Sequence, residues 1–520
     1  MLIKPVKRLR LIILASFFIL CFVLVSYNVF RKSAAGSLLS SRPGKNLIDT
    51  VSDALGNHTY LTATDLDDND QDPDIDTDLY ADDDDNEEDE DNTTIITKDD
   101  SEGLESKKLV QDLTDNGGTN IQDKENLDYE PLPDRPDYRE IFSLTTRDRK
   151  YYSIYTGGMA VYNPNLIPHP TRHDLWIFVA HRVRSTELNV ISEQVICTAG
   201  FLNGGLLCTA DPTVVPVEPS IPGRCEGELF YVNFLPGPRD ARMFYGPEAP
   251  LIVYGSQSRY TCLGIWLQDV RMLIDDYALE RSVSVKLFQQ AVEIQRPPPA
   301  RVFEKNFFLF WDSENKAYVH HDIFPHRVFA QLSYDGSIGP DLAPHASNMD
   351  NVCMTKYMPA LSDEGDSIHQ ATNSLAITLC ERADSGCIPD DNNTFVMTIF
   401  QQKSYRDYHG IYEPYVMLFR RSAPFAVHAI SQRPLWIHGR APLTRDTHSL
   451  LYDNDPGRPI PEGHTEMFYI TSMSWKTHGQ KYHGYIDDPL FLAFGIEDSR
   501  PAVIDVLAGD LLQDLGLCAH

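Results

Sequence analysis

Four short segments combine glycine or proline punctuation with charged side chains, the pattern by which a strand end offers an acid, a base or a cation to a pocket. Tyr162-Asn163-Pro164 leads into Leu175-Trp176-Ile177-Phe178-Val179-Ala180-His181-Arg182, a loop followed by a strand that ends in a cation. Gly237-Pro238-Arg239-Asp240-Ala241-Arg242 sets one carboxylate between guanidinium groups. Such flanking favours the ionised carboxylate, which suits a general base without a raised pKa. Glu304-Lys305-Asn306 precedes Phe307-Phe308, with His320, His321, Asp322 and Pro325-His326-Arg327 downstream. His438-Gly439-Arg440 is followed by Tyr485-Ile486-Asp487-Asp488-Pro489. Each segment alone also reads as a structural ion pair, because ion pairs perturb pKa values without doing chemistry.

Several chemistries are excluded by pattern. Neither a Gly-x-Ser-x-Gly elbow nor a Walker-type phosphate loop occurs, so serine-hydrolase and P-loop readings fall. His320 and His321 are adjacent on an expected strand, where successive side chains face opposite ways, so they cannot share a metal. A formal charge of −30 excludes a nucleic-acid binder, which needs a basic surface. Trp176, Trp311, Trp436 and Tyr412 read either as sugar-stacking faces or as core.

The elements that must carry these residues are short strands. Aromatic and β-branched runs recur at Leu175–Ala180, Leu229–Phe234, Leu251–Tyr254, Phe307–Trp311, Leu375–Leu379, Phe395–Phe400, Tyr415–Phe419 and Glu466–Ile470, separated by Gly, Pro, Asn and Asp clusters. Strands punctuated in this way predict an all-β body. Only Ala502–Leu515 reads as helical. A body of roughly 380 residues is large for a two-sheet sandwich, and radial repetition of small sheets manages so many strand edges.

Ahead of that body the chain changes character twice. Residues 1–50 carry +7, residues 51–130 carry −24 and the remainder −13. Residues 11–30 contain no formal charge and would span about 30 Å as a helix, the thickness of a hydrocarbon core. Lys4, Lys7, Arg8 and Arg10 precede this run, so the positive-inside bias predicts a type II signal anchor with a cytosolic tail over residues 1–10. Residues 31–134, with the acidic run Asp82–Asp91, predict a disordered stem. Cys197, Cys208, Cys225, Cys262, Cys353, Cys380, Cys387 and Cys518 make an even set in the body, consistent with disulfides whose pairing is open. Asn57, Asn92 and Asn392 head glycosylation sequons.

The segments Glu304–Trp311, Pro325–Phe329, Asp350–Pro359, Phe395–Gln402, Tyr412–Tyr415 and Trp436–Arg440 resemble, in order, the yeast β-1,2-mannosyltransferases. The likeness covers residues 135–520. It implies a Golgi membrane enzyme that transfers mannose with inversion from GDP-mannose to the 2-hydroxyl of mannan, phosphomannan or N-glycan mannosides. Asn163-Pro164, Asp240-Ala241-Arg242 and Glu304-Lys305-Asn306 with Pro325-His326 are similar, more distantly, to motifs of five-bladed propeller β-mannoside phosphorylases, and this likeness implies a five-bladed β-propeller. In that group the Asp of Asp-Pro-Arg moves the proton, which implies Asp240 here, with Ala241 replacing the proline. Glu304 and Asp488 are the rival bases. Arg182, Arg242, Lys305, Arg327 and Arg440 are candidates for the phosphate charge, with Asn163, Asn306, His326 and His438 as further substrate contacts. No obligatory cofactor is expected, Mn2+ being the cation that would otherwise serve. The competing expectations are a β-mannoside phosphorylase or hydrolase, and a mannan-binding lectin without catalysis.

Overall fold

The computed structural model describes residues 136–518, apart from the short stretches 186–189, 203, 218–222, 282–286, 362–364, 407–408, 445–459 and 461–462. The expected anchor, the acidic stem, Asn57 and Asn92 lie outside the described residues. Among the described residues no helix is long and apolar enough to cross a membrane. Asn392 is exposed in a turn, its N–H bonded to Asp390 at 2.8 Å.

The body is almost entirely strand, as its β-branched and aromatic runs require, but the strands do not separate into five four-stranded blades. They form sheets of nine, seven, four, three and two strands. The reason is backbone pairing that continues from one group of strands to the next. Tyr152–Tyr155 pairs antiparallel with Arg500–Leu507 on one side and parallel with Gly205–Cys208 on the other, joining two groups into the nine-stranded sheet. The main path of that sheet runs through eight strands, from Phe468–Trp475 to Tyr162–Pro168. Its two end strands lie against each other, so it is a nearly closed barrel. The propeller expectation is therefore corrected to a mostly β body built around this barrel. Closure of this kind removes exposed strand edges.

The four-stranded sheet contains Arg239–Tyr245, Pro250–Gln257, Leu263–Asp269 and Val292–Ile294 in sequential order. Nearly every residue of its first three strands is buried on both faces, which is why these segments read as continuous rather than alternating apolar runs. A core of Leu309, Ile377, Met397, Leu418, Ile470, Leu492 and Ile504 runs between the sheets. Trp176, Trp311, Trp436 and Tyr412 are all buried, which favours the core reading of these aromatics.

Three local expectations are corrected. Leu229–Phe234 is not a strand but part of a 3-10 turn over Gly227–Phe234, held beside the Cys225–Cys262 disulfide. Ala502–Leu515 is not a helix: Arg500–Leu507 pairs along its length with Pro489–Ile496, and only Ala508–Leu511 turns helical. Its β-branched Val503, Ile504 and Val506 are fully buried in the sheet, and strand pairing wins over local helix preference. Conversely, Ser347–Tyr357 forms a three-turn helix. The eight body cysteines pair as Cys197–Cys208, Cys225–Cys262, Cys353–Cys518 and Cys380–Cys387.

Candidate active site

Three neighbouring strands bring the first candidates together, and each carries a bulge. The register slips between Tyr162 and Asn165, between Arg239 and Arg242, and between Ile470 and Ser472. At two of these slips a non-glycine residue adopts the left-handed conformation, Asn163 with φ 50° and Asp240 with φ 46°. Asn and Asp tolerate that conformation better than other side chains, and bulges re-aim side chains beside functional sites. Asn165 fixes the alignment of the first two strands. Its Nδ2 donates to the Ala241 carbonyl at 2.7 Å and its Oδ1 accepts from the Met243 N–H at 3.0 Å. Thr471 Oγ1 donates to the Pro164 carbonyl and ties in the third strand.

The result centres on Asp240. Asn163 Nδ2 donates to its Oδ1 at 2.9 Å, and His181 Nδ1 lies 3.2 Å from the same oxygen. Oδ2 meets no partner among the described residues, and 49% of the side chain remains exposed. Burial pushes the Asp240 carboxyl up, but the His181 hydrogen bond and charge, Arg242 and Asn163 outweigh it and hold the group well below the usual carboxylate range. Asp240 is therefore an ionised group with one oriented oxygen and one open oxygen.

Arg242 is held as a fixed cation beside it. Its Nε donates to the Ala371 carbonyl at 3.0 Å and its Nη1 to the Asp240 carbonyl at 2.8 Å, while Nη2 is buried with no partner among the described residues. The guanidinium faces the Tyr469 ring, which packs against Tyr412 with centroids 4.8 Å apart. The Arg239 guanidinium is turned to the Leu235 carbonyl at 2.7 Å.

The remaining candidates are placed elsewhere. Arg182 follows His181 on its strand, so with His181 facing Asp240 the alternation turns Arg182 to the other face. Glu304 accepts from Arg296 Nη1 at 3.0 Å and from the Arg301 N–H at 3.1 Å. Lys305 lies over the Phe303 ring, and Asn306, with φ 57°, accepts from Gln370 Nε2 through its carbonyl. His326 is exposed. Arg327 is buried in an ion pair with Asp350 at 2.9 Å and bonds His320 and the Phe425 carbonyl. His438 pairs with Glu140, and Arg440 with Glu413. Asp488 is paired with Arg382. His320 and His321 have separate partners, Gln370 Oε1 and the Gln295 carbonyl.

Sequence reasoning thus named Asp240, Asn163 and Arg242 but passed over His181, Asn165 and Tyr469. His181 stood in the quoted strand, and its position one residue before Arg182 was the available signal. Among the described residues no group of three or more His, Cys, Asp or Glu is placed to hold a metal.

No family model and no curated protein matches this sequence. Solved structures give slight likenesses. A β-1,2-mannobiose phosphorylase from Listeria innocua aligns over 72% of this chain and 96% of its own, at 10% identity and a TM-score of 0.37. A glycosyl hydrolase from Bacteroides ovatus aligns over 67% and 84%, at 10% identity and 0.34. A GDP-Man-dependent mannosyltransferase from Leishmania mexicana aligns over 69% and 89%, at 10% identity and 0.34. Glycosidases and a phosphorylase stand beside a transferase among these likenesses, which are not specific to mannosyltransferases. At these scores the likeness transfers no activity.

Proposed function

We propose that this chain moves a mannosyl unit between a β-mannoside and an α-linked mannosyl phosphate by one inverting displacement, with Asp240 handling the proton. The observation that carries this reading is the oriented carboxylate: Asp240 has one oxygen fixed by Asn163 and His181 and the other open, whereas the rivals Glu304 and Asp488 are committed to Arg296 and Arg382. Glycoside hydrolysis ordinarily needs a second carboxylate about 5–9.5 Å away to act as nucleophile or to activate water. One proton-handling carboxylate is enough for a displacement in which phosphate or a sugar hydroxyl is the nucleophile.

In the bond-forming direction a sugar hydroxyl attacks the anomeric carbon as the phosphate leaves from the opposite face. Asp240 Oδ2 takes the hydroxyl proton directly or through one intervening hydroxyl. A carboxylate held this low is a weak base at rest, so it receives the proton late, from an oxygen already bonding to carbon. In the reverse direction the proton that hydrogen phosphate gives up reaches the departing glycosidic oxygen through Asp240, as a phosphate oxygen bonds to the anomeric carbon and the glycosidic bond breaks. Arg242, whose Nη1 donates to the Asp240 carbonyl, would supply the positive charge for the phosphate.

Arg242 is one guanidinium, enough for one phosphate group, and this favours phosphorolysis of β-mannosides as the first reading. Transfer from GDP-mannose, which brings two phosphates, is the second and rests on the sequence segments that resemble β-1,2-mannosyltransferases. Incubating the full chain with β-1,2-mannobiose and inorganic phosphate, and separately with GDP-mannose and an α-mannoside, tests both by NMR of the anomeric and phosphorus signals. The first reading expects α-mannose 1-phosphate, and the second a β-1,2 linkage with release of GDP. Free mannose alone, a β-configured phosphate, or no turnover in either arm would contradict the proposal.

A further inference from the structure

The strand that presents Asp240 at its start ends at Tyr245, and the neighbouring strand that begins near Tyr469 ends at Trp475. Beyond these far ends lies a cavity of about 800 Å3, lined by Pro247, Asn315, Arg382, Arg421, the turn 477–483 and Asp488. At about 3.3 Å rise per residue, Pro247 is roughly 20 Å from Asp240 along the strand, so this cavity is separate from the Asp240 cluster. The volume is that of a small-molecule site.

Its charge is the reverse of the protein's as a whole. Arg382, Arg421 and Lys481 line it against a single carboxylate, Asp488. Asp488 is already satisfied: Arg382 Nε donates to Oδ1 at 2.9 Å, and Oδ2 accepts from Arg382 Nη2, from Gln480 Nε2 at 2.8 Å and from the Tyr485 N–H at 2.7 Å. Among the described residues Arg421 and Lys481 have only neutral partners. Arg421 Nη2 donates to the Asp312 carbonyl and Lys481 Nζ to the Glu248 carbonyl, both at 2.9 Å. The Arg421 Nε is buried and unpartnered among the described residues. His483, on the same wall, reports the positive field: burial first, then Arg421 and Arg382, push it down to about 4 against the opposing pull of Asp488. Two cations with no carboxylate partner among the described residues thus face this pocket in a chain carrying −30.

We propose that this cavity binds a phosphate group, free or carried on a sugar, through Arg421 and Lys481. Two uncompensated positive charges match a phosphate dianion. A guanidinium offers paired N–H groups to its oxygens and an ammonium adds a point charge. The inference does not depend on the reaction assigned to Asp240.

Isothermal titration of the full chain with inorganic phosphate and with mannose 6-phosphate, at low ionic strength, tests it. The expected result is saturable binding that Arg421→Lys and Lys481→Ala each weaken at least tenfold, with melting temperatures unchanged and with Arg242→Gln leaving it intact. Equal affinity for the two probes assigns the phosphate group alone as ligand, and tighter binding of the sugar phosphate adds the sugar. Absence of saturable binding overturns the proposal, as does binding insensitive to both variants. Binding abolished by Arg242→Gln places the anion at the other site and overturns it equally. Mannosyl turnover is read separately, so its failure and the failure of anion binding are distinguishable.

Discussion

A carboxylate that spends one oxygen on two oriented donors and leaves the other to solvent is built to exchange a proton with something that arrives. His181 contributes most to keeping Asp240 ionised, through both its hydrogen bond and its charge. Because the group's folded pKa is depressed, the ionised form persists as pH falls until the folded value is reached, and weakening its partners must move that point upward. His181→Ala is therefore expected to shift the acidic limb of kcat/KM, in the bond-forming direction, to higher pH. An unmoved limb would detach His181 from the site. Asp240 and Arg242 were legible because a carboxylate between two guanidinium groups stands out in a linear reading. His181 lies 59 positions from Asp240, and nothing local says that it, rather than Arg182, faces the acid. Arg327 and Arg440 looked equally suitable as cations, and only burial against Asp350 and Glu413 distinguishes them from Arg242.

At the level of elements, the bulges and the turn ahead of Asp240 decide where its carboxylate points. Gly237 enters that strand with φ 111°, and a Cβ there would sit 1.8 Å from the Ser192 carbonyl oxygen. Gly237→Ala is expected to destabilise the body by more than about 1 kcal/mol and to lower kcat/KM, measured by thermal melting and initial rates. Unchanged values of both would show that the turn does not position the acid. The helix Ser347–Tyr357 serves stability instead. Its Asp350 bonds Arg327 through one oxygen and the Val427 N–H through the other. Asp350→Ala leaves the Arg327 charge buried without its carboxylate, at a cost of about 3–5 kcal/mol, while turnover per folded molecule should persist. Loss of turnover without loss of stability would return Arg327 to the chemistry. Strand existence was legible from β-branched and aromatic runs, as at Leu251–Tyr254. The helix was hidden because its apolar residues show no clear stripe, and Ala502–Leu515 misled because a short buried apolar run has no period that separates helix from strand.

For the molecule as a whole, an all-β class follows from composition and punctuation, but sheet membership depends on pairings between distant segments. Tyr152–Tyr155 joins strands on either side of it that lie some 50 and 350 residues away along the chain. No reading of a single segment reveals such a bridge. The same holds for the disulfides: eight body cysteines were countable, their partners were not. Cys353–Cys518 closes a loop of 165 residues and ties the long helix to the last strand. Replacing both cysteines with serine is expected to lower stability by about 3–5 kcal/mol, read from denaturant midpoints, and an unchanged midpoint would show that the last strand is held by pairing alone. The measurement closest to the centre of the account is the turnover of Asp240→Asn on β-1,2-mannobiose with phosphate and on GDP-mannose with an α-mannoside, at matched melting temperature. A fall of about 10²–10⁴-fold in the reaction that the unmodified chain performs is the expected result, and near-normal turnover in a folded variant would contradict it.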